Sequence, residues 1–380
     1  MNNRFFSWGR FKAIVFAMVL LGLGGCADLS YYWQSIHGHL QLMQSAKPVH
    51  AWIEDSQTPM QLKQQLALAQ GIRRFATSEL ALPDNASYQR YADLRRKAVV
   101  WNVVAAPEWS LALETWCFPV VGCVSYRGYF DESEARLHAA QLQRQGLEVF
   151  VYGVPAYSTL GWLNWAGGDP LLSTFIHYPE TELARMIFHE LAHQVVYVPD
   201  DTRFNESFAT AVERLGVSRW LALYGTENSR AQTRALQDRR TAFRALSQAT
   251  RQALRELYRS GGSAASPDAT QTAEKARILQ EFRAQYARLK ASWLASSSDT
   301  YQPTNAYDAW VASANNAAFG AQAAYDDLVP HFEALFAKAG GDTDGVLGWQ
   351  RFFAEVRRLK ELSPSERQRS IGAVNDKNGR

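Results

Sequence analysis

The chain has 380 residues, 47% of them hydrophobic and 20% charged, which excludes a disordered tail and provides for a large core. Its formal charge of +3 comes from 40 basic against 37 acidic residues; Arg4, Arg10 and Lys12 lie in an acid-free first 25 residues, leaving 37 against 37 elsewhere. That neutral remainder lacks the basic field on which nucleic-acid binding draws, so no nucleic-acid partner is expected.

Residues 1–12 are basic, Ala13 to Leu23 form an apolar run broken only by Gly22, and Gly24 and Gly25 precede Cys26. This is the pattern of an export signal. The apolar run is well short of the roughly 20 residues that cross a bilayer as a helix, so a removable leader is expected rather than a permanent span. Leu23-Gly24-Gly25-Cys26 resembles the lipobox of bacterial lipoproteins. The resemblance implies acylation of Cys26 and a periplasm-facing protein anchored to the envelope. By the same resemblance, Ala27 after the cysteine, in place of an acid, implies the outer membrane. Two further cysteines, Cys117 and Cys123, flank Phe-Pro-Val-Val-Gly, and in an oxidising compartment this close pair reads as a disulfide around a tight turn.

From Ser30 to about Lys97 the apolar positions Leu62, Leu66, Ile72 and Phe75 recur at helical spacing, broken at Pro83-Asp84-Asn85. Val99 to Phe130 is rich in Val, Trp, Tyr and Phe with Gly and Pro punctuation, which predicts strands and hairpins. A helix is expected over Ser133–Gln145, a strand over Leu147–Val154, and extended chain with turns over 156–178. Beyond Glu180 the pattern is helical: two long helices, Thr241–Arg259 and Ala273–Leu294, flank a polar loop at 261–267, and others follow over Ala306–Ala339 and Leu347–Glu361. The polar tail after Ser363 is expected to be loose.

The chemistry lies in His189-Glu190-Leu191-Ala192-His193. Histidines four apart on a helix project from one face a turn apart, so both imidazoles reach one ion. Glu190, rotated away from both, is placed to serve as general base on a water at that ion. Two nitrogens fall short of the usual three protein ligands, so a partner is expected downstream. After twelve intervening residues, Glu206 opens a second helical pattern, Asn205 to Glu213, which a turn can bring antiparallel to the first.

Asn205-Glu206 in this setting resembles the third-ligand helix of gluzincins, the thermolysin-like peptidases. The resemblance implies Zn2+ held by His189, His193 and Glu206, a zincin-like core, and a peptide substrate. Gluzincins commonly carry an acid four residues after this ligand to orient a histidine. Thr210 stands there instead, leaving Glu213, Asp200 and Asp201 for that task, with Asn205 and Thr210 beside the ligands. A second donor to the developing oxyanion is expected from the later helices, with Tyr325 first and Tyr307 and His331 after it. Gly161-Trp162-Leu163-Asn164-Trp165 and Asp169-Pro170-Leu171-Leu172-Ser173-Thr174-Phe175-Ile176 stand where thermolysin-like enzymes keep the edge strand that pairs with substrate backbone. Together with Cys117-Phe118-Pro119-Val120 and Tyr126-Arg127-Gly128-Tyr129-Phe130, the stretch Asp169-Pro170-Leu171-Leu172-Ser173 resembles a bacterial family described as putative aminopeptidases, which implies removal of N-terminal residues.

The expected architecture is α+β and predominantly helical, with a zincin-like core, a small mixed or antiparallel sheet and a C-terminal helical lobe. Its divisions are a leader at 1–25, a helical segment at 26–98, the catalytic core at 99–225, a helical lobe at 226–365 and a tail at 366–380. Two rivals remain on this reading: an envelope endopeptidase of protein quality control, and a non-catalytic lipoprotein stapled by its metal. Oligomeric state is not legible.

Overall fold

The structure is a computed structural model and describes residues 31–118, 122–156, 158–161, 167–260, 268–296 and 305–376. It is α+β and predominantly helical. Residues 31–45 form α1, followed by β1 (Lys47–Pro48), α2 (Val49–Glu54) and α3 (Met60–Leu80). On α3, Leu66, Ala69, Ile72, Phe75 and Ala76 repeat at three and four and are buried, each large side chain contributing roughly 1.5–3 kcal/mol. The helix ends at Ala81, which adopts the left-handed conformation at φ 52°.

The helical reading of 30–97 gives way at β2 (Arg90–Ala92), which pairs antiparallel with β1 and parallel with β8 (Leu171–Leu172). Tyr91 and Ala92 are buried there, and this non-local pairing leaves no periodicity in so short a segment. Leu171–Leu172 is thus an edge strand and is buried, residues 162–165 of the expected edge segments lie outside the described residues, and Ser158, Thr159 and Leu160 line the cavity described below.

A second sheet has the order β6 (Arg127–Tyr129), β3 (Val100–Pro107), β7 (Leu147–Val154), all antiparallel. Its alternation is a strand's period of two made visible. Val103 and Ala105 face α4 (Glu132–Arg144), whereas Val104 and Ala106 face α10 (Asn316–Asp326). The hairpin of β4 (Trp116–Phe118) and β5 (Gly122–Val124) pairs Cys117 with Cys123, and the two sulfurs are bonded.

Two helices, α5 (Glu180–Val195) and α6 (Thr202–Tyr224), cross the largest core side by side. Gly216 marks their close approach: a Cβ there would meet Phe188 at 2.7 Å and Leu80 at 2.8 Å. Helices α7 (Glu227–Ser260) and α8 (Ala269–Ser296) form a long pair with its own core around Phe243, Phe282 and Trp293, joined by α9 (Asp308–Ala312). Helices α11 (Val329–Lys338) and α12 (Val346–Lys360) close the main core through Phe332, Phe336, Trp349 and Phe352.

The polar tail departs from expectation, because residues Pro364–Asp376 form α13. Arg367 is buried, bonded to Asp201 at 3.1 Å, with its guanidinium over the Phe204 ring, and Ile371 enters the core. One ion pair and one apolar side chain thus anchor a segment whose composition is polar. Among the described residues no helix is long and apolar enough to cross a membrane.

Candidate metal centre and its cavity

The connection between α5 and α6 decides where the donors fall. Val196 turns the chain out of α5 in an extended conformation, and six residues later α6 begins. Asn205 clamps this turn, accepting from the Val198 N–H and donating to its carbonyl, both at 2.8 Å. Asp201 caps α6 by accepting from the Phe204 N–H at 3.0 Å, and Asp200 accepts from the Cys123 N–H at 2.6 Å. Asn205 and the two aspartates therefore hold the turn and the disulfide hairpin rather than the histidines.

This antiparallel turn brings one oxygen of Glu206 between the two imidazoles. Nε2 of His189 lies 3.2 Å from Nε2 of His193 and 3.4 Å from Oε2 of Glu206, and His193 Nε2 lies 3.8 Å from the same oxygen. Donors about 2.1 Å from a tetrahedral ion stand about 3.4 Å from each other, so the three atoms present fit a divalent metal such as zinc. They are the described donors within mutual coordinating reach.

Behind them runs a line of charge. Oε2 of Glu213 lies 3.0 Å from Nδ1 of His189, and Oε1 accepts from Arg185 Nε at 2.8 Å. Arg185 also faces Glu182 at 3.8 Å, and Glu182 accepts from Arg240 of α7 at 2.9 Å. Glu213 stands two turns after Glu206 on the same side of α6, and its longer side chain carries a carboxylate to Nδ1 of His189. Thr210 is buried between them and lines the cavity.

These contacts set the protonation of the site without an ion. Burial opposes charge on His189, but its bonds to Glu206 and Glu213 prevail and push it up to about 10. Burial depresses His193 to about 4. Burial likewise opposes charge on Glu213, yet Arg185 and His189 hold it down to about 2. Burial pushes Glu190 up to about 7, against the pull of His189 and with Glu206 adding to the rise.

The donors and Glu190 line a cavity of about 1130 Å³. Its other walls come from Tyr31 of α1, Phe118 of the disulfide hairpin, Tyr126, Arg239 of α7 and Tyr307. Tyr126 escapes notice in the sequence, having no motif around it. Burial and then the Glu206 carboxylate keep its hydroxyl protonated, well above the usual tyrosine range. Tyr307 lines the cavity and stacks on Phe243 at 3.9 Å. His331 lies on α11 near Arg203, outside the cavity lining. Tyr325 falls in α10, with its side chain outside the described residues, and Cys26 lies outside them too.

A second buried carboxylate, that of Asp169, braces the end of α5. Asp169 accepts from the Thr159 N–H at 3.0 Å and from Gln194 Nε2 at 3.2 Å, the latter one residue past His193. Gln194 also accepts from Asn85 at 2.7 Å, tying the end of α5 to the loop after α3.

Donor set and cavity together define the class: a candidate metal centre open to a peptide-sized ligand. The particular family follows from the sequence as a whole, for residues 30–371 match the family described as putative aminopeptidase, and the chain belongs to it. No curated protein and no solved structure matches the chain.

Proposed function

We propose that the protein is a zinc-dependent peptidase of the bacterial envelope that removes N-terminal residues from peptides. The observation carrying this reading is the convergence of His189, His193 and Glu206 within 3.8 Å on a cavity wall that also holds Glu190. Family membership supports a peptidase-like role.

A bound divalent ion supplies Lewis acidity at a carbonyl and lowers the pKa of water toward about 7. Glu190 takes the proton of the attacking water and returns it to the leaving amine, a task suited to a carboxyl held near 7. Glu213 fixes the His189 ring by accepting its Nδ1–H, which directs Nε2 toward the donor cluster. Tyr126, kept protonated, offers a hydroxyl at the same wall for the developing oxyanion, in the role that the sequence suggests for Tyr325.

Glu190→Gln retains metal and loses at least about a hundredfold in peptide hydrolysis, whereas His193→Ala loses both. Metal analysis beside mass spectrometry of a peptide library checks this. Undiminished cleavage by the Gln variant eliminates Glu190 as base, and cuts only within N-blocked peptides favour an endopeptidase. Lipid attachment at Cys26 belongs to the same proposal, on the strength of Leu23-Gly24-Gly25-Cys26. Labelled palmitate should enter the wild-type chain and not Cys26→Ala; an unlabelled wild-type product refutes the anchor.

A further inference from the structure

Resting on the peptidase reading above, we infer that the cavity selects peptides bearing a carboxylate, which Arg239 on α7 grips at the wall formed by that helix. The argument begins with the charges that line the cavity. Five guanidiniums, those of Arg185, Arg214, Arg239, Arg240 and Arg244, meet four carboxylates, Glu182, Glu190, Glu206 and Glu213.

The carboxylates are already committed. Glu206 faces the two histidines, Glu213 is shared by His189 and Arg185, and Glu182 is engaged by Arg240 through both oxygens. Glu190 is needed as the base. Among the described residues, therefore, the lining offers a substrate ammonium group no uncommitted anion, although an enzyme acting at N-termini has reason to hold one.

The guanidiniums differ among themselves. Arg185 and Arg240 are fixed by Glu213 and Glu182, and Arg214 faces Glu333 at 3.8 Å. Arg239 lines the cavity with its Nη1 buried and without a hydrogen-bond partner among the described residues. A buried donor of this kind is costly to leave unmade, and a planar guanidinium fork matches a carboxylate in particular. Glu182 keeps the neighbouring Arg240 in place, so Arg239 is presented from a braced segment of α7. The same lining carries aromatic side chains, among them Tyr31, Phe118 and Tyr126, so a ligand in the cavity meets both apolar surface and positive charge.

The carboxylate has two sources in a peptide, its C-terminus or an acidic side chain. Both are tested by calorimetric titration of zinc-loaded Glu190→Gln protein, which leaves the peptides intact. Four peptides with free amino ends suffice: Ala-Ala-Ala-Ala as acid and as amide, and Ala-Ala-Glu-Ala and Ala-Ala-Gln-Ala as amides. In at least one pair the charged member should bind on the order of ten-fold more tightly than its neutral partner, and the pair that responds identifies the source. Arg239→Gln should reduce that preference to less than about two-fold, while Arg239→Lys restores part of it and controls for folding. Equal affinities within both pairs, or a preference surviving Arg239→Gln, overturn the inference and leave the peptidase reading standing. Binding of none of the four overturns both.

Discussion

Asp169 illustrates how a single buried group makes the fold sensitive to pH. It is 1% exposed, and burial pushes its carboxyl up to about 6 despite the bonds from Thr159 and Gln194. In the unfolded chain an aspartate titrates near about 3.9. Between those two values the folded chain holds a proton that the unfolded chain has lost. Its contribution to stability is thus fully present below about pH 4 and is lost as pH rises through about 6, a change of up to about 3 kcal/mol. Asp169→Asn removes this term. Urea unfolding at pH 4, 5.5 and 7 should show wild type losing stability relative to the variant as pH rises, and a difference independent of pH refutes the assignment. Glu190 is held near 7 by the same kind of burial, a shift that suits its proposed role as general base.

Helices α5 and α6 carry the site as a matched pair, and their antiparallel register determines which carboxylate does what. Trp220 Nε1 donates to Glu180 at 2.7 Å, extending the sequence of contacts from Glu206 with His193 to Glu213 with His189. Glu213→Gln weakens the acceptor at Nδ1 of His189 and breaks the charge pair with Arg185. Metal affinity should fall by roughly ten- to a hundredfold, read by competition with a chromophoric chelator. Unchanged affinity removes Glu213 from the account. The paired histidines are legible in sequence because helical spacing alone brings them to one side, and Glu206 because it opens the next helical pattern, which a turn can bring antiparallel to the first. The choice among Glu213, Asp200 and Asp201 is not, because it depends on how tightly six residues turn between the helices. Asn205 makes the same point, sitting beside a donor in sequence while its amide is spent on Val198. Tail helix α13 is illegible for another reason: its buried Arg367 pairs with Asp201, 166 residues away, and its Ile371 enters a core assembled by distant helices.

At the scale of the molecule, one cavity draws its walls from α1, the disulfide hairpin, the sheet, the α5–α6 pair and the α7–α9 lobe. The helical texture after Glu180 and the strands after Val99 follow from local periodicity. The meeting of Tyr31, Tyr126, Arg239 and Tyr307 around one space does not, since only tertiary packing unites them. Under the proposed function, His189, His193 and Glu206 hold a divalent ion that is used for hydrolysis. The most direct measurement strips the protein with chelator and follows hydrolysis of free N-terminal peptides as zinc is returned. Activity should be absent at the start and rise linearly to a break at about one ion per chain, with His193→Ala remaining flat. Hydrolysis that persists in the stripped protein, or that rises equally in His193→Ala, contradicts the account.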